Sequence, residues 1–212
     1  NEYDVQTIVA EGKTYNALVN QPSERLSVDF NVEHVLTKTH TLRFSFDRDT
    51  NTAENLGVGL FDLETRAYNR DGFTNRVRLS DIGTFRKKYL NEIRAQYTWQ
   101  EQESVSLSDA TTIRVQEWAT RGGAQVSGGR KFWELQVADN LDIPLGRKHS
   151  IRTGFEVETG NYSGDELRNA NGTFTFTSPE AFAANTPNNF TIRLGNPLVE
   201  YRNTELALFV QD

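Results

Sequence analysis

The residues that could carry catalysis or bind a metal are few in this sequence. Its three histidines are His34, His40 and His149, and no two of them have the spacing of a metal-ligand pair. His40 and His149 each follow a short predicted turn, which favours an interpretation as interfacial or turn residues over metal ligation. The chain has no cysteine, so disulfides, thiolate metal sites and cysteine nucleophiles are excluded together.

The stretch DRDTNTAE begins like a calcium-binding loop. Its oxygen-bearing acidic and amide residues are Asp47, Asp49, Asn51 and Glu54. The glycine that such a loop needs at its sixth position is replaced by Thr52, and the glutamate of the twelfth position is replaced by Val58. We therefore favour a solvated loop here, with a weak surface calcium site left open.

Two further patterns resemble parts of active sites but are incomplete. The glycine-rich GGAQVSGGRK has neither the GKS/T ending nor the following helix of a phosphate-binding loop, so we predict a flexible loop tip. Glu156 and Glu158 share one face of a predicted strand, and we interpret them as charges on a polar wall, since nothing nearby suggests an acid and base pair. No GxSxG motif is present. We therefore predict no catalytic, cofactor-binding or metal-binding residues and no enzyme activity, and the sequence does not identify a substrate-binding residue.

Composition narrows the class of protein. With 212 residues the chain can bury a core, and with 11% aromatic residues it is too well patterned to be disordered. Its net charge of −6, without a basic stripe, argues against nucleic acid as a partner. No apolar run reaches the roughly 20 residues of a membrane-spanning helix, and no signal peptide is visible. The absence of methionine suggests a processed or cut chain.

The residues above must be positioned by strands, because the dominant pattern is a period of two. In ERLSVDFNVEHVL, Leu26, Val28 and Phe30 alternate with polar residues, and after the short turn TKT the alternation continues through Phe44 and Phe46. The same pattern returns in NEIRAQYTWQ, FWELQVADNLDI, HSIRTGFEVE and the final LALFVQD. NRVRLSDI supplies a weaker strand. We predict an all-β, antiparallel meander of about seven long strands.

The connections between these strands differ in length. TKT and PLGRK are short, whereas the predicted loops Asp49 to Asp71, Gln102 to Gly129 and Gly160 to Tyr201 are long and polar. Short turns that alternate with long loops place the long loops at one end of the sheet. The last loop contains a predicted short helix, with Ser178 as its cap and Pro179 in its first turn.

Two architectures fit these strands. A soluble sandwich would pack the apolar face on a second sheet, whereas an outer-membrane barrel would present it to lipid. The long strands, the charges on the opposite face and the aromatic residues near strand ends favour the barrel. The alternative is a soluble all-β binding module, such as an adhesin or a glycan-binding domain.

The sequence also resembles a known family. TYNALVNQPSERLSVDFNVEHVLTKTHTLRFSF is similar to the first barrel hairpin of TonB-dependent outer-membrane receptors of the Oar-like, carboxypeptidase-regulatory-like group. NLGVGLFDLETRAYN, RLSDIGTF, RKHSIRTGFEVE and LALFVQD resemble later parts of that barrel in the same order. The resemblance covers nearly the whole chain from Thr14, and the shared order makes it specific.

This resemblance implies a partial receptor barrel, with a lead-in segment at 1–23 and barrel strands and long outer loops at 24–212. It implies location in the outer membrane of a Gram-negative bacterium, contact with outer-membrane lipid, and transport energised by the TonB complex through a region outside this chain. The long loops would capture a ligand, with no cofactor. Because about seven strands leave two open edges and the last strand stops at Asp212, we expect the gene product to continue beyond both ends.

Overall fold

The computed structural model describes residues 2–4, 8–10, 13–15, 18–146 and 148–212. Four strands of three residues come first: β1 (Glu2–Asp4), β2 (Ile8–Ala10), β3 (Lys13–Tyr15) and β4 (Leu18–Asn20). The remaining elements are, in chain order, β5 (Ser23–Thr37), β6 (His40–Leu56), β7 (Tyr68–Phe85), β8 (Tyr89–Ser106), β9 (Thr112–Val115), β10 (Ala119–Arg121), β11 (Val126–Leu145), β12 (His149–Gly164), β13 (Leu167–Arg168), β14 (Thr173–Phe176), α1 (Pro179–Ala183), β15 (Asn189–Thr191) and β16 (Val199–Gln211). A 3-10 turn covers Glu64–Arg66. Among the described residues, no helix has the length and apolarity needed to cross a membrane.

Seven long strands, which we call the wall, form the main sheet together with the two-residue β13, which pairs with β11. Its order is β16-β12-β11-β8-β7-β6-β5, and every neighbouring pair is antiparallel. The strands are 13 to 20 residues long, well above the roughly five or six residues usual in soluble proteins. The predicted all-β antiparallel meander of about seven long strands is confirmed. β5 and β16 form the two edges of the wall.

The short connections lie at one end of the wall and the long ones at the other, as the sequence predicted. Residues 38–39 and 86–88 make short turns at one end of the wall, which we call the turn end, and β11 and β12 also adjoin at this end, where Leu145 lies opposite His149. Residues 57–67, 107–125 and 165–198 connect the strands at the opposite end, which we call the loop end. The turn at 86–88 escaped prediction. Two of its residues, Arg86 and Lys87, have positive φ angles, a conformation that local sequence rarely reveals for non-glycine residues.

The predicted loop boundaries were too wide. Asp49 to Asp71, Gln102 to Gly129 and Gly160 to Tyr201 all begin and end inside wall strands. The strand through Val77 and Leu79, predicted to be weak, spans 18 residues. The physical reason is that backbone hydrogen bonds continue the ladder at the loop end, where both faces are polar and alternation of side chains is lost.

The register gives the wall one apolar and one polar face. Along a single row across the strands, Phe30 lies opposite Phe46, Phe46 opposite Val77, Val77 opposite Tyr97, and Tyr97 opposite Leu135. These apolar side chains are not covered by a second sheet: Phe30 is 54% exposed, and Leu208 on β16 is 74% exposed. A soluble sandwich would bury this face. An apolar face of this extent left uncovered fits a membrane wall.

The apolar residues form an oblique band across the wall. On β5 the band runs from Leu26 to Val32 and is centred on position 29, which is in register with Gly160 of β12 through the intervening strands. On β12 the band runs from Ile151 to Val157 and is centred on Gly154. The centre therefore moves six residues along the strands over five strand-to-strand steps. A band whose position shifts along successive strands in this way is expected where strands are tilted, as they are in transmembrane barrels.

Two aspartates interrupt the apolar face, and each has a hydrogen-bond partner. His40 Nδ1 lies 2.7 Å from Asp81 Oδ2, and Asn91 Nδ2 donates to Asp139 Oδ1 at 2.7 Å. A polar group that faces lipid is costly unless it is satisfied within the protein. These pairs therefore reduce the cost of placing carboxylates on this face.

Candidate functional site

The polar face of the wall carries charges of both signs, held in pairs across neighbouring strands. Arg43 Nε donates to Glu33 Oε2 at 2.7 Å, and Arg25 Nη2 donates to Asp49 Oδ1 at 3.1 Å. Pairing between adjacent strands follows from the antiparallel register, which places opposed side chains on one face. The polar face therefore carries paired charges both near the turn end and near the loop end.

A second group of charges spans β8, β11 and β12. Arg94 Nη2 lies 3.5 Å from Glu156 Oε2, and Gln136 Nε2 donates to the other oxygen of Glu156 at 2.7 Å. Glu158 lies on the same face, directly opposite Glu205 of β16. The prediction that Glu156 and Glu158 share the polar face is confirmed. Arg94 and Gln136 therefore give Glu156 two partners on this face, and such charged and amide groups can hydrogen-bond a polar solute.

The polar face is concave. One depression of about 680 Å³ is lined by Glu33, Arg43, Arg78, Arg94, Gln96 and Gln136, among others. A second, of about 600 Å³ and nearer the loop end, includes Arg25, Asp49, Arg70, Arg76, Gln100 and Gln102. Depressions of this size, rich in arginine and amide groups, can accommodate a polar or charged small molecule.

The histidines lie apart. His40 follows the turn at 38–39 and is near Asp81, whereas His149 begins β12 at the turn end, with Nδ1 2.7 Å from Asp212 Oδ2. His34 lies in β5, opposite Leu42. Within the described part of the chain, no three His, Cys, Asp or Glu residues are grouped so as to hold a metal ion.

One predicted loop is strand instead, and a second is strand over its latter part. Asp47, Asp49 and Asn51 all lie in β6 and pair with β7, so the interpretation of DRDTNTAE as a solvated loop was wrong. In GGAQVSGGRK only the residues up to Gln125 belong to a loop, because Gly128 and Gly129 lie in β11. A Cβ on Gly129 would approach Gln102 O to 2.5 Å. This position requires glycine because the neighbouring strand passes too close for a side chain.

The three long loops fold into one structure, which we call the loop cap (57–67, 107–125 and 165–198). Its sheet has the order β10-β9-β14-β15, and β9 pairs with β14 in parallel. This pairing joins the second long loop to the third, since β9 and β14 belong to different loops. The cap therefore forms through contacts between residues distant in sequence.

The first long loop joins the cap through backbone bonds and a small core. Leu63 N donates to Thr120 O at 2.9 Å, and Thr120 N donates to Phe61 O at 2.7 Å. The buried side chains are Val58, Leu63, Ala67 and Ala119, packed against Val19 and Trp118. Because Val19 precedes β5, the approach to the wall also contacts the cap.

Arg66 connects the first two long loops through its side chain. Its guanidinium donates to Thr112 Oγ1 at 3.0 Å and to Gly123 O, and its Nε lies 3.7 Å from Asp62 Oδ1. The side chain is only 17% exposed. Burial lowers the pKa of the Arg66 guanidinium, and Asp62 acts in the opposite direction. A buried arginine with these partners is a strong tie between loops.

The predicted helix is confirmed as α1 and lies in the cap. The side chain of Ser178 accepts a hydrogen bond from Ala181 N at 3.2 Å, and Pro179 occupies the first turn. Phe182 contacts Trp118 and Phe176, with ring centroids 5.9 and 5.2 Å apart. The helix thus packs the third loop against the second. The N-cap Ser178 and Pro179 sufficed to predict this helix. The strands of the loop cap around it are too short to show alternation in the sequence.

Comparison with known proteins agrees with this geometry. The family model of the outer membrane beta barrel domain matches residues 4–212. No curated protein and no solved structure shows detectable similarity to the chain. The matched region includes all seven wall strands, whose uncovered apolar face and oblique band have the character of a membrane wall. The chain belongs to the outer membrane beta barrel domain family, and its place is the outer membrane of a Gram-negative bacterium.

Proposed function

We propose that the chain forms part of a TonB-dependent outer-membrane receptor of the Oar-like, carboxypeptidase-regulatory-like group. In this proposal the loop cap captures a ligand outside the cell, and the polar face guides it inward. Energy comes from the TonB complex through a region outside these 212 residues. The role is transport rather than catalysis, without a cofactor and without nucleic acid as a partner.

The observation that carries this proposal is a folded cap above a charged, concave wall. Outer-membrane barrels have short periplasmic turns and longer extracellular loops, so the loop end faces outward. A barrel that only anchors a protein needs no buried arginine and no core within its loops. Loops that form a defined surface are typical of binding sites. The soluble binding module is not proposed, because it does not fit an outer-membrane barrel.

Uptake measurements in the native bacterium test the proposal. A panel of siderophores, oligosaccharides and peptides is supplied to wild-type cells, to cells lacking this gene and to cells lacking TonB. We expect at least one compound whose accumulation is lost in both mutants. The proposal would be contradicted if loss of the gene left the accumulation of every compound unchanged. It would also be contradicted if a compound needed this gene but not TonB for its accumulation.

Two point variants separate capture from general damage. Arg66→Met loosens the cap and should lower uptake of that compound. Arg168→Met is the matched control, because Arg168 is 69% exposed and pairs with Glu166 two residues away. Equal amounts of both variants in the outer membrane, measured on immunoblots, would exclude a defect in assembly.

A further inference from the structure

The apolar face of the wall carries an aromatic groove near the loop end. The groove has a volume of about 300 Å³ and is lined by the rings of Tyr97, Trp99 and Trp133. The ring of Tyr97 lies 5.4 Å from that of Trp99 and 6.2 Å from that of Trp133. Trp99 and Trp133 are directly opposite each other on β8 and β11. The three rings form a continuous aromatic floor.

Polar side chains follow immediately on the loop side of this floor. Glu101 and Lys131 are the next residues on the same face of β8 and β11, and Lys131 Nζ lies 3.4 Å from Glu101 Oε2. Asn161 lies opposite Trp133 on β12, and Ser163 lies opposite Lys131. All four polar residues line the groove. The groove therefore has an aromatic half and a half with an ammonium, a carboxylate, an amide and a hydroxyl.

The position of the groove identifies the layer of the membrane that it faces. Towards the turn end, the same face continues with Ala95 and Tyr97 on β8 and with Leu135 and Val137 on β11. The change from apolar to polar residues at Trp99 and Trp133 marks the outer boundary of the hydrocarbon region, where aromatic residues concentrate in barrels. What lies against the groove is thus the headgroup layer of the outer leaflet.

We propose that this groove binds the headgroup of a glycolipid that carries a phosphorylated sugar. The C–H face of a sugar ring packs on an indole, and its hydroxyls pair with carboxylate, amide and hydroxyl groups of the kind present here. Lys131 is 71% exposed on its side chain and can exchange Glu101 for a phosphate oxygen. A lipid with a phosphate but no sugar would leave the aromatic floor and Glu101 unused. The proposal depends on the outer-membrane location and is independent of transport.

Native mass spectrometry of the protein in mild detergent tests this inference. The probes are lipid A, which carries a phosphorylated glucosamine disaccharide, and phosphatidic acid with comparable acyl chains. We expect one lipid A molecule to be retained with at least tenfold higher affinity than phosphatidic acid. Trp99→Leu and Trp133→Leu should each lower lipid A affinity about tenfold, and Lys131→Gln should lower it while leaving the preference over phosphatidic acid. Phe155→Leu, elsewhere on the apolar face, is the matched control and should have no effect.

The other outcomes overturn the inference. Equal retention of the two lipids, sensitive only to Lys131→Gln, would show a phosphate contact without sugar recognition. Absence of retained lipid would show that the groove does not bind a lipid headgroup. A dimer that disappears in Trp133→Leu would show that the groove contacts a second copy of the chain instead. Each variant should still migrate differently on gels before and after heating, which verifies that its barrel is folded. Lys131→Gln alters only an exposed side chain, so it tests the inference even if the tryptophan variants fail to fold.

Discussion

Replacing Arg66 by methionine should open the loop cap while leaving the wall intact. Methionine keeps most of the aliphatic stem but removes the hydrogen bonds to Thr112 Oγ1 and Gly123 O and the attraction to Asp62. Hydrogen bonds from a charged group contribute about 1.5–3 kcal/mol each. Thr112 keeps its own bond to Gly123 O at 2.9 Å, which offsets part of the loss. We therefore expect the cap to lose about 2–4 kcal/mol of local stability.

Hydrogen exchange measures this change directly. The amides of Leu63 and Thr120 join the first two loops, so they report on opening of the cap. A loss of about 2 kcal/mol corresponds to exchange about 30-fold faster at these amides. Amides in the middle of the wall, such as those of Phe46 and Val77, should be unchanged.

Two results would refute this reasoning. Unchanged exchange at Leu63 and Thr120 in the Arg66→Met variant would show that the guanidinium does not hold the loops together. Equal acceleration in the cap and in the wall would show that the cap is not an independent unit. The exposed Arg168→Met variant supplies the baseline, since it removes an arginine from the same cap without breaking contacts between loops.

Three further predictions follow from the faces, the glycines and the helix. Phe44→Arg on the apolar face should lower the free energy of unfolding from liposomes, measured in urea titrations, by about 2–4 kcal/mol. The neighbouring Ser45→Arg on the polar face should be nearly neutral, and equal effects of the two substitutions would contradict the assignment of the faces. Gly129→Ala should destabilise the barrel by about 1–3 kcal/mol in the same urea titration, because the new Cβ meets Gln102 O. An unchanged unfolding midpoint would show that the two strands can separate at this position at no cost. The hydrogen bond with Ser178 holds the pKa of the Glu180 carboxyl below its usual 4.5. The ionised carboxylate should therefore stabilise α1 above pH 4.5, and this contribution should be lost as the pH falls through the lowered pKa. Hydrogen exchange at the Ala181 amide should show this pH dependence in the wild type but not in Ser178→Ala, and a dependence that survives the substitution would exclude Ser178 as its cause.

The middle of the wall was predictable because its two faces meet different environments. Alternation between Phe44 or Phe46 and charged neighbours follows from an apolar face and a polar one, so the strands could be located from sequence. Beyond about Asp49 on β6 both faces are polar, the alternation ends, and the strand was mistaken for a loop. β7 looked weak because Asn75 and Asp81 occupy its apolar face on either side of Val77 and Leu79.

The loop cap could not be predicted in the same way. Its strands have two to four residues, and the contact between Arg66 and Thr112 joins residues 46 positions apart. Nothing in the local sequence specifies such a pairing. The helix at Pro179 was predictable because capping by Ser178 is a local interaction. The groove at Trp99 and Trp133 could not be predicted as a unit, because the strand order decides which polar side chains stand beside the two tryptophans.

Cysteine accessibility along β7 distinguishes a membrane wall with an aqueous polar face from any other arrangement of this sheet. The chain contains no cysteine, so single cysteines can be placed at Arg76, Val77, Arg78, Leu79 and Ser80 of the protein in intact outer membranes. A small water-soluble maleimide should label positions 76, 78 and 80, whereas positions 77 and 79 should resist it and respond instead to a lipid-borne quencher. Uniform labelling of all five positions, or labelling of 77 and 79 in place of their neighbours, would contradict the membrane wall described here.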